Sequence, residues 1–264
     1  MEEKPRHSKT QEDFDQAQAE GIYEEGMANM ALYHRHCQDP VIFRALGDIR
    51  EKALLDLACG DGFYTRRFKQ ECGADQVVGI DLSPKQIEKA RAVEEAKPLG
   101  IQYFACDASD LDLNYDFDVI TAIHLLHYLE NREEIAGVLK KVHDLLKENG
   151  RFITMVANPE FDLTRHDPED SKTKFAYYFS AAPEENGATM TFHPGGLEKE
   201  REITIGLRRW HRGFLNEIAR EQGFEPKWRD PFISPEGLEE YGEAFFENYL
   251  PNPQSKLFLL SKLN

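Results

Sequence analysis

Long apolar runs and paired cysteines are both scarce in this sequence of 264 residues. No stretch reaches the ~18 consecutive apolar residues that a membrane-spanning helix needs. The four cysteines (Cys37, Cys59, Cys72 and Cys106) form neither a CxxC pair nor a Cys/His spacing that would hold zinc. The opening residues, MEEKPRHSKTQEDFDQ, lack the apolar segment of a signal peptide. We therefore expect a soluble, cytoplasmic protein with reduced thiols and no metal.

Basic side chains are also under-represented, with 32 Lys and Arg against 48 Asp and Glu and a net charge of -16. An acidic surface repels phosphates unless a basic groove is set into it, and the sequence shows no such groove. This composition disfavours nucleic acid as a partner and favours a small molecule. It leaves the oligomeric state open.

Short apolar segments alternate with amphipathic ones through the first two thirds of the chain. This alternation is typical of an α/β protein with a parallel, doubly wound sheet. Seven strands are predicted, the last two forming an antiparallel pair, at Ala53–Ala58, Gln76–Ile80, Ile101–Ala105, Phe117–Ala122, Arg151–Val156, Pro226–Phe232 and Lys256–Ser261. The predicted helices include Phe63–Cys72, 84–95, Arg132–Lys147 and Arg209–Gln222.

The segments outside this alternation suggest how the chain is organised around a single domain, 21–264. Residues 1–20 are predicted to be disordered, and 21–50 to form a helical lid with a break at Asp39-Pro40. The core would be 51–158, followed by a cap (159–215) inserted after the fifth strand and by the terminal helix and strands (216–264). A cap of this length should have its own secondary structure, with strands at Lys174–Phe179 and Ala188–His193.

A glycine-containing turn is the first sign of a ligand site. In LLDLACGDGFYT, residues 54–65, Gly60 and Gly62 stand where a strand turns sharply into a helix. Glycine permits the required backbone angles and lets a ligand lie against the main chain. Asp56 lies within the strand, where a buried carboxylate needs a partner such as a ligand ammonium group.

Two further carboxylates follow the next two strands. Asp81 stands where α/β folds bind the ribose hydroxyls of a nucleotide, and Asp107 is placed to accept a hydrogen bond from an adenine amine. Aspartate is also a common turn residue, and a turn is the simpler explanation for Asp81 or Asp107 taken alone. Three such acids at successive strand ends favour the ligand site.

The charge of the turn discriminates between nucleotide cofactors. A dinucleotide fingerprint has a third glycine, but Thr65 stands at that position. A diphosphate would also meet Asp56 and Asp61, which is electrostatically unfavourable. A sulfonium nucleoside without phosphate suits this acidic turn better, so an NAD(P)-dependent oxidoreductase is the weaker alternative.

These motifs resemble those of a known family. DLACGDG, VVGIDLS, FACDASDL and FDVITAIHLLHYL are similar to class I S-adenosylmethionine-dependent methyltransferases across about residues 20–160. RDPFISPEG and FFENYLPNP more narrowly resemble the toxoflavin synthase-like small-molecule methyltransferases. The resemblance implies a Rossmann-like fold and S-adenosyl-L-methionine as the cofactor.

The resemblance also implies a set of cofactor contacts. In the narrower group a Tyr-x-Arg pair, matched here by Tyr33 and Arg35, reaches the methionine carboxylate. The general family implies contacts at Asp56, Ala58, Gly60, Asp81, Leu82, Asp107, Ala108 and the residues after the fourth strand, to which we add Asp61, Gly62, Cys106, Ala122 and His124.

Several histidines and aromatic residues are candidates for the acceptor site. His124 and His127 follow the fourth strand, and either could be a general base or a structural histidine. In the cap, Tyr178, Trp210 and His211 are predicted to bind the acceptor, and Tyr178 forms with Tyr177 and Phe179 a cluster that could pack a flat heteroaromatic ring or simply the core. His34 and His36 form an HxH pair without a third ligand, and a lid helix with solvated histidines is expected instead.

The sequence NPEF at 158–161 resembles the NPPF/Y loop of enzymes that methylate amides and exocyclic amines. It follows the fifth predicted strand rather than the fourth, so those chemistries are disfavoured. We therefore predict an enzyme that transfers a methyl group to N, O or S of a small, aromatic or heterocyclic molecule. A catalytically silent module that only binds S-adenosylmethionine is the other alternative.

Overall fold

The computed structural model describes residues 22–109, 111, 116–195 and 204–263, so the predicted disorder of 1–20 lies outside the described residues. Two compact units form. The sheet unit comprises 42–156, 212–230 and 256–264, and the insertion unit comprises 1–41, 157–211 and 231–255, in their described parts. Within the described ranges, no helix has both the length and the apolar character needed to cross a bilayer.

A seven-stranded sheet confirms the predicted fold, and it is formed by β1 (Ala53–Leu57), β2 (Gln76–Asp81), β3 (Gln102–Ala105), β4 (Phe117–Ile123), β5 (Leu146–Ala157), β9 (Phe224–Arg229) and β10 (Ser255–Lys262). The strand order is β3-β2-β1-β4-β5-β10-β9. The pairs β1–β2, β1–β4, β2–β3 and β4–β5 are parallel, and β9 and β10 are antiparallel. A separate sheet is formed by β6 (Tyr177–Ala181), β7 (Ala188–Pro194) and β8 (Ile205–Arg209).

The helices follow the predicted alternation in the sheet unit and add others outside it. They are α1 (Ile22–Asn29), α2 (Ala31–Tyr33), α3 (Asp39–Leu46), α4 (Phe63–Cys72), α5 (Pro84–Ala96), α6 (Arg132–Leu145), α7 (Pro168–Phe175), α8 (Arg212–Glu221) and α9 (Pro235–Tyr241). Among the described residues, three short 3₁₀ segments lie between these helices: Leu126–Tyr128, Leu163–Arg165 and Glu243–Phe246.

Local chemistry explains where the helices of the sheet unit begin and end. Asn131 caps α6 by accepting a hydrogen bond from the Glu134 amide, and the helix buries an apolar stripe on one face. The predicted end at Lys147 is two residues too late. Leu146 pairs with Phe117 in the sheet, and Lys262 Nζ donates to the His143 and Leu146 carbonyls at this end of the helix.

The predicted break at Asp39-Pro40 is wrong, because the chain stays helical from α2 to α3 through a π-helical turn, His34–Gln38. Pro40 has no N–H to donate, and the Ser234 amide donates to the His36 carbonyl instead, at 2.9 Å. His36 is buried, and its Nδ1 is hydrogen-bonded to Ser234 Oγ at 2.7 Å. The expectation of solvated histidines is therefore also wrong for His36.

In the insertion unit, β6, β7 and β8 form an antiparallel sheet, so this segment has secondary structure of its own. The predicted strand Lys174–Phe179 begins only at Tyr177, because α7 continues to Phe175. The predicted helix Arg209–Gln222 begins only at Arg212. Arg209 ends β8 instead, and its buried guanidinium donates to the Pro159, Ala182 and Pro183 carbonyls.

One carboxylate stabilises the connection between α5 and β3. Glu94 Oε1 accepts hydrogen bonds from three successive backbone amides, those of Leu99, Gly100 and Ile101, at 2.6, 2.7 and 3.2 Å. Charge-assisted hydrogen bonds are stronger than neutral ones. This side chain thus satisfies amides that no strand partner reaches.

We expect Glu94→Ala to lower the free energy of unfolding by about 2 kcal/mol, because three amides lose an ionised acceptor. Glu94→Gln keeps a carbonyl oxygen and should lose less than half of that. The exposed neighbour Glu95 provides the control, since Glu95→Ala should change stability by less than about 0.5 kcal/mol. Chemical denaturation measures all three, and equal effects of the Ala and Gln changes would contradict the assignment.

Candidate active site

The glycine turn joins β1 to α4 through three residues with left-handed backbone angles. Ala58, Gly60 and Gly62 have φ values of 53°, 57° and 78°. A Cβ on Gly62 would lie 2.5 Å from the Tyr103 hydroxyl, whereas one on Gly60 would meet no atom within 4 Å. Gly62 is therefore required for packing. Gly60 leaves an open space beside the main chain, where a ligand can approach.

Asp81 joins this turn to the end of β2. One carboxylate oxygen accepts from the Gly60 amide and the other from the Ser83 amide, each at 2.8 Å. The side chain is partly exposed, and the neighbouring Leu82 is 44% exposed. Asp81 thus holds the turn through one oxygen while part of the carboxylate still faces solvent.

The end of β3 is connected to Asp81 in turn. The Cys106 amide donates to the Asp81 carbonyl at 3.0 Å. Asp107 Oδ1 accepts from both the amide and the hydroxyl of Ser109, at 2.8 Å each. Cys106, Asp107 and Ala108 are all partly exposed. Asp107 therefore does act as a turn residue. This turn lies at the same edge of the sheet as Asp81.

Asp56 is 2% exposed, and both of its oxygens have partners within the chain. Thr65 Oγ donates to Oδ2 at 2.6 Å, and Thr121 Oγ donates to Oδ1 at 2.7 Å. Burial raises the pKa of Asp56 to about 6, although the two hydroxyls oppose this and nearby Asp81 adds to it. The burial of Asp56 therefore does not by itself require a ligand ammonium.

His124 follows β4 with a φ of 68°, a strained angle for a residue with a side chain. Its amide donates to the Met155 carbonyl at 3.1 Å, and its ring is partly exposed. The His127 ring lies 5.4 Å away and is buried. Burial, followed by the charge of His124, holds the pKa of His127 well below its ordinary value, so His127 stays neutral at physiological pH.

The remaining predicted contacts of the sheet unit differ in accessibility. Asp61 is exposed, and its Oδ1 accepts from the Phe63 amide at 3.0 Å. Ala122 is fully buried within β4, and its carbonyl accepts from Thr154 Oγ at 2.6 Å. Asp61 is thus available to a ligand, whereas the methyl group of Ala122 lies in the core.

The Tyr-x-Arg pair lies in the insertion unit with its two side chains in contrasting environments. Tyr33 is 1% exposed, and burial raises its pKa to about 12 despite hydrogen bonds to Gln254 and Ser255. Arg35 is exposed. Arg35 can therefore reach an anionic group, whereas the Tyr33 hydroxyl already has partners inside the unit.

The predicted aromatic cluster of the cap is divided by strand alternation. Tyr177 and Phe179 are buried, but Tyr178 points to the opposite face, where its ring stacks on His193 at 4.2 Å. The three rings cannot share one acceptor-binding face. Tyr178 alone stays accessible enough to be a candidate.

Trp210 and His211 contact the turn that leads into β7. Trp210 is buried against Gly187. The His211 amide donates to Asn186 Oδ1 at 2.7 Å, and its Nε2 is hydrogen-bonded to the Glu184 carbonyl. Both residues precede α8 rather than beginning it.

The asparagine of NPEF has a structural role. Asn158 is buried, and its side-chain amide donates to the Pro253 carbonyl at 2.7 Å. Its Oδ1 accepts from the Glu160 amide. In the part of the chain that the structure describes, no three His, Cys, Asp or Glu side chains are arranged to hold a metal ion.

The roles of Thr65, Thr121 and Tyr103 are not predicted by the sequence. Thr65 stands out there only as the residue in place of a third glycine, and Thr121 lies opposite Asp56 in the sheet register. The Tyr103 ring fills the space above both Gly62 and Gly79. The pairing register of β1 with β4 would have pointed to Thr121, but that register is a property of the assembled sheet.

Comparison with known proteins agrees with this geometry. The family described as a methyltransferase domain matches residues 54–150. An uncharacterized protein of Haemophilus influenzae is 27% identical over 227 residues, covering 80% of this chain and 87% of the relative. A demethylmenaquinone methyltransferase of Lactococcus lactis is 32% identical over 114 residues, which are 42% of this chain and only 44% of that relative.

A solved structure shares the fold. The S-adenosylmethionine-dependent methyltransferase of Mesorhizobium loti superposes with a TM-score of 0.60 at 22% identity, covering 84% of this chain and 96% of its own. Residues 54–150 are thus a methyltransferase domain, and the sheet order agrees with the fold of S-adenosylmethionine-dependent methyltransferases. These similarities imply S-adenosyl-L-methionine as the cofactor.

The sheet unit fits this cofactor. The open space beside Gly60 admits a ligand to the main chain, and the carboxylates of Asp81 and Asp107 suit hydroxyl and amine donors. The acidic side chains around the turn also suit a cation better than a phosphate. We propose that Asp81 would hold the ribose hydroxyls and Asp107 the adenine amine, with the cofactor lying beside the main chain at Gly60.

We expect Asp81→Ala to weaken cofactor affinity by about 1–3 kcal/mol, because charge-assisted hydrogen bonds to the ribose are lost. Titration calorimetry with S-adenosylmethionine measures this. Asp75→Ala, at the residue just before β2 and so remote from its Asp81 end, is the control and should leave the affinity unchanged. An unaltered affinity in Asp81→Ala would contradict the assignment.

Asp56 should make stability depend on pH. Its folded pKa of about 6 lies above its ordinary value of 3.8, so protonation favours the folded state. This stabilisation is complete below the ordinary pKa and is lost as the pH rises through the folded pKa. Relative to Asp56→Asn, the wild-type unfolding free energy should fall by about 2 kcal/mol from about pH 4.5 to about pH 7.5. Denaturant titrations across this range test it, and a constant difference would show that Asp56 is not perturbed.

Proposed function

We propose that this protein transfers the methyl group of S-adenosylmethionine to a nitrogen, oxygen or sulfur atom of a small, aromatic or heterocyclic molecule. The observation that carries the proposal is that Gly60, Asp81, Asp107 and the strained His124 end or follow four neighbouring parallel strands of one sheet. The proposed cofactor site thus lies in the same unit as a partly exposed imidazole.

Charge and loop chemistry support a small acceptor. The net charge of -16 disfavours a polyanionic substrate. Asn158, the residue that would mark an amide-methylating loop, is buried, and its amide group is bonded to Pro253. The relative from Lactococcus lactis is named as a demethylmenaquinone methyltransferase. The narrower resemblance to the toxoflavin synthase-like group stays a prediction.

His124 is the proposed general base. The cofactor supplies a methyl group on a positively charged sulfur, which departs as a neutral thioether. The chain therefore needs mainly to orient the acceptor and exclude water. A ring nitrogen of His124 would take the acceptor proton, and the left-handed backbone angle and the bond to Met155 would orient that ring. His127 stays neutral beside it, so it does not compete for the proton.

The acceptor contacts predicted in the cap stay proposals. Tyr178 presents one ring face to His193, and His211 is bound to the Glu184 carbonyl, yet both keep exposed atoms. Trp210 is buried, so it would pack inside the cap and support its structure rather than stack on an acceptor. Tyr33 and Arg35 stay proposed contacts of the methionine carboxylate, with Arg35 the more accessible of the two.

Two other functions predict different outcomes. A silent regulatory module would bind S-adenosylmethionine and methylate none of the acceptors tested. An NAD(P)-dependent oxidoreductase would prefer a dinucleotide, which Asp61 and the missing third glycine disfavour. The strained angle of His124 favours the enzyme, because strain of this kind is concentrated at functional sites.

A methyl-release screen against heterocyclic amines, phenols and thiols tests the proposal, with Asp81→Ala as the blank. With a substrate from this screen, His124→Ala should lower kcat by about 10²–10⁴-fold and leave the affinity for S-adenosylmethionine nearly unchanged. His143→Ala, on the remote end of α6, is the matched histidine control. Full activity in His124→Ala would exclude it as the base, and turnover of no acceptor class would favour the silent module.

A further inference from the structure

Asp56 is surrounded by hydroxyl donors from two different elements. Thr65 lies in the first turn of α4, directly after the glycine turn, and Thr121 lies in the central strand β4. Both threonines are 0% exposed, and both bonds to Asp56 are short. The carboxylate therefore ties the start of α4 to β1 and to β4.

We propose that Thr65 is a positioning residue for the cofactor, which acts by donating its hydroxyl to Asp56 and so holds the first turn of α4, and the glycine turn before it, in the ligand-binding arrangement. This inference rests on the proposed function of the same site. It assigns no direct ligand contact to Thr65 or to Asp56.

The backbone of the turn explains why such a tie is needed. Gly62 is the N-cap of α4 and has no side chain, so it makes no side-chain capping bond. Three residues of the turn have positive φ angles, which cost conformational energy or entropy to hold. Asp81 holds the turn at Gly60, and Thr65 holds the helix that follows. The turn is thus fixed at both ends by a carboxylate.

The ionised state of Asp56 also favours a cationic ligand electrostatically. The groups around this carboxylate are Asp81 from β2, the Cys59 thiol from the turn and the Tyr103 hydroxyl from β3, besides the two threonines. Each threonine hydroxyl lowers the pKa of Asp56, so removing one should make Asp56 harder to ionise. Cofactor affinity should accordingly decline as the pH falls through the pKa of Asp56.

Thr65→Val removes the hydroxyl at nearly constant volume, and Thr65→Ser keeps it. We expect Thr65→Val to weaken binding of S-adenosylmethionine by at least about tenfold at about pH 8, and to move the pH midpoint of binding upward by about one unit. Thr65→Ser should stay within about threefold of the wild type with an unchanged midpoint. Titration calorimetry from about pH 5.5 to about pH 8 measures both quantities.

Thr121→Val separates two effects, the positioning of the glycine turn and the ionisation of Asp56. It also removes a donor to Asp56, but β4 is held between β1 and β5 by sheet pairing. We expect it to raise the pH midpoint while leaving affinity at about pH 8 within about threefold of the wild type. Equal loss of affinity in both valine variants at high pH would overturn the positioning role of Thr65.

Ile218→Val on α8 is the stability control. It removes a buried methylene remote from the turn and should lower thermal stability without changing affinity or midpoint. If Thr65→Val does not fold, Thr65→Cys, a similar-sized side chain with a weaker donor, is measured instead. A wild-type protein that binds no S-adenosylmethionine would overturn the proposed function itself. Wild-type binding together with unchanged affinity and midpoint in Thr65→Val would overturn only this inference.

Discussion

The carboxylate of Asp81 connects the strand ends on which the candidate site depends. It accepts the Gly60 amide and the Ser83 amide, and the carbonyl of the same residue accepts the Cys106 amide. One residue thus joins the glycine turn after β1, the end of β2 and the segment after β3. Without it, the Gly60 amide would lose its partner at a turn whose left-handed angles are already costly.

This arrangement places two carboxylates close together within one unit. Asp56 is buried, and Asp81 contributes to raising its pKa. Burial disfavours the ionised form of Asp56 most, the two threonine hydroxyls offset only part of that cost, and the charge of Asp81 adds a smaller one. A cationic ligand would offset more of it. The acids of the glycine turn, which disfavour a diphosphate at the level of the sequence, therefore also favour a cationic ligand in the folded protein.

The alternation of short apolar strands and amphipathic helices was sufficient to predict the sheet, because buried parallel strands and amphipathic helices leave distinct hydrophobic patterns. The predictions are wrong where contacts with another segment of the chain decide the bounds of an element or the burial of a residue. Strand β6 starts late because α7 uses the preceding residues. Arg209 is in a strand because three carbonyls bind its guanidinium. His36 is buried where residue 234 meets it twice, since the Ser234 amide donates to the His36 carbonyl and the Ser234 hydroxyl is hydrogen-bonded to the His36 ring.

The sequence by itself determined the glycine turn, the acids at the strand ends and the charge that selects a sulfonium nucleoside, since these depend on residue type and local spacing. Only the tertiary structure decided what each acid binds. Thr121 meets Asp56 through the register of β1 on β4, and Tyr103 meets Gly62 through the packing of β3 beside β2. Such partners are distant along the chain, so no local pattern encodes them. For this reason the sequence predicts a ligand ammonium as the partner of Asp56, whereas in the folded protein the hydrogen-bond partners of Asp56 are the hydroxyls of Thr65 and Thr121.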